Sequence, residues 1–72
     1  MNNIKIMVLG YNDYDEDETV IDFVNTVEEA EDKDDLYHHS YRFVDFIECV
    51  EEEGKHFYEE IEYRIGDKIQ HS

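Results

Sequence analysis

Proline is absent from the 72 residues, glycine occurs three times and cysteine once. Without proline, internal repeats or a break in composition nothing marks a linker, so residues 1–72 read as a single acidic domain with a small core. A lone Cys49 excludes an intramolecular disulfide and a cysteine-rich zinc site, and it suits a reducing, cytoplasmic setting. No apolar run approaches twenty residues, and Met1 to Gly10 lacks a basic region followed by a long apolar stretch and a small-residue cleavage site. Neither a membrane-spanning helix nor secretion by that route is expected. The largest deficit is of cations: six Lys and Arg stand against 21 Asp and Glu, a formal net charge of −15 at pH 7. A net charge of about 2–8 keeps a small domain soluble, and more opposes compaction. So few cations also predict repulsion from nucleic acid and anionic lipid, which leaves basic proteins or cations as partners.

What is present argues for a folded chain. Hydrophobic content of 40% with 14% aromatic residues exceeds that of disordered acidic tails. Ile4 to Leu9 is short and rich in β-branched residues, a central strand ending at Gly10. Asn12 to Glu18 reads as a charged loop that closes a hairpin. Thr19 to Asn25 fits a helical face through Val20, Phe23, Val24 and Val27, but its β-branched residues favour a strand. The Thr26-Val27-Glu28-Glu29 capping box that follows would start a helix. From Asp34 onward, Leu36, Ser40, Phe43, Val44, Ile47 and Val50 recur at three- and four-residue steps, which predicts the main amphipathic helix, ending at Gly54. Phe57, Glu59, Ile61, Tyr63 and Ile65 alternate as in a half-buried strand, with a helix through Phe57, Ile61 and Ile65 as the competing pattern, and Gly66-Asp67 marks a turn. The expected fold is α+β: a small antiparallel sheet backed by one main amphipathic helix, in ββαβ order. Its open edge leaves monomer and homodimer as alternatives.

The acids fall into four groups, at 13–18, 28–35, 48–53 and 59–62. Alternate residues of a strand lie about 6.6 Å apart, and residues i and i+4 of a helix are displaced by about 6 Å along its axis. Both spacings resemble that of successive phosphates, so Glu60 with Glu62, and Glu48 with Glu52, could present carboxylates to a groove lined with Lys and Arg. The candidate partner-binding residues are Asp13, Tyr14, Asp15, Glu16, Asp17, Glu18, Glu48, Glu52, Tyr58, Glu59, Glu60 and Glu62. Tyr14 and Tyr58 enter as exposed interface tyrosines, whereas Tyr37, Tyr41 and Tyr63 read as core or edge residues. Asp13-x-Asp15-x-Asp17 matches the first ligand spacings of a calcium-binding EF-hand loop. The match ends there, because Glu18 replaces the required glycine and Val24 the final glutamate. His38, His39, His56 and His71 lack ligand spacing, although Asp34, Asp35 and His38 could share a helix face. Cys49, near acids and beside Ile47 and Val50, reads as a packed residue and not as a nucleophile. No cofactor, metal or catalytic residue is expected, and no deep pocket for enzymatic chemistry.

In length, acidic runs and interleaved tyrosines the chain resembles the small acidic inhibitors encoded by phages and mobile elements: anti-CRISPR proteins, antirestriction proteins and uracil-DNA glycosylase inhibitors. The resemblance covers the whole chain by composition alone and transfers no residue. It implies a non-enzymatic DNA mimic that occupies the basic nucleic-acid groove of a host defence nuclease, with a CRISPR effector as the first expectation because its DNA-binding grooves are lined with Arg and Lys. An immunity or antitoxin protein that plugs a basic nuclease toxin, and a phage adaptor that binds a transcription factor, share the same acidity.

Overall fold

The computed structural model describes residues 3–69; His71 lies outside them. Of the described residues 52% are in strands and 19% in helices. The order is β1 (Asn3–Tyr11), β2 (Glu18–Val24), α1 (Val27–Asp32), α2 (Asp34–Ser40), β3 (Phe43–Glu52), β4 (Lys55–Tyr58), β5 (Ile61–Tyr63) and β6 (Lys68–Ile69). The strands form one antiparallel sheet in the order β5-β4-β3-β1-β2-β6.

This corrects the expected ββαβ unit with one main helix. The segment from Asp34 to Glu53 divides into a helix of two turns and a ten-residue strand. Phe43, Val44, Phe46, Ile47 and Val50 imitate helical spacing because β3 lies inside a sheet with apolar groups on both faces, and such strands lose their alternation. Gly54 ends no helix. With Glu53 it forms the two-residue turn between β3 and β4, at φ of 79° and 52°, and both values are positive as a type I′ turn requires. The single strand expected from Phe57 to Ile65 is a second hairpin, β4–β5, turning at Glu59 and Glu60. β1 and β2 form as expected, although β1 continues through Gly10 to Tyr11. There the ring of Tyr41 lies so close that a Cβ on Gly10 would sit 2.6 Å from its Cγ.

The sheet curls, and the chain length requires it. Laid flat, six strands would place β5 and β6 about 24 Å apart, from a spacing of about 4.8 Å. Residues 64–67 join those two outer strands and can span at most about 18 Å. Gly66 N–H donates to the Val20 carbonyl (2.7 Å) and Val20 N–H to that of Asp67 (2.8 Å), so the link is laced to β2. Curling also stacks Phe23 of β2 on His56 of β4 at 3.8 Å between ring centroids, across the two strands between them.

The curl separates a concave from a convex face. Met7, Leu9, Val20, Cys49 and Ile69 fill the concave side, with Phe23, Ile47, Tyr58 and Tyr63 against them. On the convex side Ile6, Val8 and Val24 are covered by Ala30 of α1 and Tyr37 of α2. The β1–β2 register slips between Val8 and Leu9, leaving Ile21 as the extra residue of a bulge. The bulge sends Val20 to the concave cluster and Val24 to the convex one. α1 starts after Thr26 as expected: Thr26 Oγ1 accepts from Glu29 N–H (3.1 Å), while Glu29 Oε2 reaches one residue beyond the N-cap to accept from Asn25 N–H (3.1 Å).

Candidate partner-binding surface

None of the 21 acids is buried, so the structure spends its charge on the surface. Asp22 pairs with Lys33, Asp34 lies against His38 (3.3 Å), Glu51 lies against His56 (3.7 Å) and Glu62 pairs with Arg64. The second is the shared helix face expected of Asp34 and His38.

Of the first acidic group, Asp13 to Asp17 lie in the β1–β2 loop, which is internally tied, while Glu18, expected in that loop, opens β2 and pairs with Ile69. Asn12 N–H donates to Glu16 Oε1, Glu16 N–H to the Asp13 carbonyl (3.1 Å), and Arg42 N–H to Asn12 Oδ1 (2.7 Å). Asp13 is thereby engaged as a turn former; Asp13 Oδ1 also accepts weakly from Asp15 N–H (3.4 Å). Tyr14 is 80% exposed, and its ring leans on Phe43 (4.9 Å), which stacks on Tyr11 (5.0 Å). Burial, and then the charges of Asp45 and Glu18, push the Tyr11 phenol above its ordinary pKa. Tyr14 thus stands on an aromatic base with acids around it.

The third and fourth groups meet on the convex face, at the side of the sheet remote from β2. The registers align Ile4, Val50, Phe57 and Glu62 in one row across β1, β3, β4 and β5. Side chains two residues along a strand share a face, so Glu48 and Glu52 flank Val50, and Lys55 lies beside Phe57. Val50 and Phe57 are half-buried, Ile4 is 56% exposed, and all three lie outside both core clusters. Nothing in the residue pattern marks this apolar row, because it exists only through cross-strand register. An exposed acidic row was legible; its apolar centre was not.

Three expectations for the site residues are corrected. Glu48 and Glu52 lie on a strand, where a four-residue step covers about 13.5 Å instead of about 6 Å on a helix. Glu60 sits in the hairpin turn at φ 69° and Glu62 in β5, so they are not alternate residues of one strand. Glu48 and Glu52 do not keep the phosphate-like spacing, and Glu60 and Glu62 form no strand row. Tyr58 is no exposed anchor, since it packs on the concave cluster beside Tyr63. The 13–18 loop lies at one end of β1 and the β3–β4 turn at the other, so the twelve candidates do not form one patch.

A cleft of about 390 Å³ is lined by Phe23, Lys55, His56, Glu62, Tyr63, Arg64 and Ile65. Cys49 is buried, and burial, followed by the charge of Glu51, raises its thiol pKa. Among the described residues no three His, Cys, Asp or Glu are grouped to hold a metal, and no helix is long and apolar enough to cross a membrane. No protein-family model, curated protein or solved structure matches the chain.

Proposed function

We propose that the chain is a non-enzymatic acidic inhibitor that acts as a DNA mimic, occupying the basic nucleic-acid groove of a host defence nuclease in the host cytoplasm, with a CRISPR effector as the first target. The observation that carries this reading is the net charge of −15 with no acidic residue fully buried. Such a surface attracts a Lys- and Arg-lined groove and speeds encounter with it, as DNA does. With the row spacings gone, the mimicry is one of summed field. Acids at both ends of the sheet surround a partner groove with negative potential, and no phosphate ladder is copied.

The test is competition for duplex DNA by a purified RNA-guided nuclease, with wild type, Asp15→Lys/Glu16→Lys/Asp17→Lys and Glu59→Lys/Glu60→Lys/Glu62→Lys. Wild type should displace DNA with an affinity that falls steeply with salt, and each reversal should weaken displacement at least tenfold with the fold intact. Unchanged displacement by both variants would overturn mimicry. A partner that DNA cannot displace would shift the assignment to the immunity or adaptor class.

A further inference from the structure

We propose that the convex sheet face beyond the helices, Ile4, Val50 and Phe57 with Glu48, Glu52 and Glu62 around them, docks a partner-protein segment that carries apolar side chains flanked by Lys or Arg. The inference rests on the reading above only in taking the partner to be basic. A DNA-like surface would not require an apolar centre. Here one is set in register across three strands and lies outside both core clusters, with Ile4 56% exposed and Val50 and Phe57 half-buried.

Charge complementarity selects the occupant. A second copy placed face to face would set Glu48 and Glu52 against their equivalents, with Lys55 and the Arg64 that pairs with Glu62 (3.3 Å) at the row's flank; like charges opposed across an interface disfavour that pairing. A purely cationic groove would leave the three apolar groups wet. A segment with alternating apolar and basic residues satisfies both parts, its apolar side chains on Phe57 and its cations on the surrounding glutamates. Three side chains supply far less than the roughly 800 Å² per partner of a stable interface, so the glutamate rim must share in the contact. Aromatic groups at the centre of such patches dominate binding, which puts the largest expected loss at Phe57.

The test titrates the isotopically labelled chain with two twelve-residue peptides of equal charge, one alternating Leu with Lys and the other Ser with Lys. Amide shifts should centre on residues 3–6, 48–52 and 55–62, and the Leu/Lys peptide should bind at least tenfold tighter than the Ser/Lys peptide. Phe57→Ala and Ile4→Lys should each cost at least tenfold, while Asp15→Lys in the distant loop changes affinity less than threefold. If Phe57→Ala unfolds, Ile4→Lys at an exposed position gives the same reading. Equal binding of the two peptides, or shifts centred on residues 12–17, would overturn the assignment. A self-association in sedimentation equilibrium that Ile4→Lys abolishes would also overturn it, by placing a second copy on the face. Because no nuclease takes part, peptide binding that persists while DNA competition fails would reject the mimicry and keep the docking face.

Discussion

Tyr37 ties the helical layer to the sheet: its hydroxyl donates to Asp22 Oδ2 at 2.7 Å, and the same carboxylate accepts from Phe23 N–H (2.8 Å) and faces Lys33 (3.7 Å). Replacing it by Phe should cost about 1.5–3 kcal/mol, the range for a hydrogen bond to a charged group, read by urea denaturation at pH 7. Burial, the hydrogen bond to Asp22 and the charges of Asp22 and Glu29 raise the phenol pKa above its ordinary value. The unfolded phenol ionises near pH 10 while the folded one stays neutral, so its contribution is complete below about pH 10 and is lost as pH rises toward the folded value. Tyr37→Phe should therefore show a shallower alkaline decline than wild type; parallel declines would mean that other groups, such as Tyr11 and Cys49, govern it. Gly10→Ala presses a methyl into the Tyr41 ring and should cost about 1–3 kcal/mol. An unaltered melting temperature would show that the ring swings aside freely.

At the scale of elements, the β4–β5 hairpin holds both Glu59 and Glu60 in the left-handed region, at φ 51° and 69°. Each such residue costs about 1–2 kcal/mol without a glycine. Glu60→Gly should raise stability by about 1 kcal/mol, measured by thermal melting, and if docking uses this tip the gain will come with weaker peptide binding. The strands β1 and β2 and the start of α1 were legible in the sequence, because β-branched runs and a Thr-x-x-Glu box act locally. β3 was not legible. Its apolar residues serve two faces, and the three- and four-residue spacing that results matches a helix as well as a strand. The two hairpins were hidden for another reason: Glu53, Glu59 and Glu60 occupy turn positions where Asn or Gly would have signalled a type I′ turn. Of the candidate site, exposed acids and Tyr14 were readable from composition, while the row Ile4–Val50–Phe57–Glu62 depends on register between strands far apart in sequence.

For the whole molecule the net charge of −15 acts against compaction. Salt should relieve it, because the screening length falls from about 30 Å at 0.01 M to about 3 Å at 1 M. The melting temperature should rise by several degrees between those concentrations; a gain of about 1 kcal/mol corresponds to about 4–8 °C for a domain of this size. A flat response would mean that the acids are spaced widely enough not to repel. The same screening weakens attraction to a basic partner, so stability and affinity should move in opposite directions with salt.

The link at residues 64–67 also behaves as a tether. β6 contributes one buried side chain, Ile69, and two residue pairs to β2, which is too little to hold a free peptide. Its residence depends on the high effective concentration that the link provides. Arg64, with 78% of its side chain exposed, offers a protease a bond at the β5 end of that tether. A single cut between Arg64 and Ile65 should release the C-terminal peptide, open the concave cluster to dye binding and let the sheet uncurl. A nicked protein that keeps its peptide through gel filtration would show that the hydrogen bonds from Gly66 N–H to the Val20 carbonyl and from Val20 N–H to the Asp67 carbonyl suffice as the clasp.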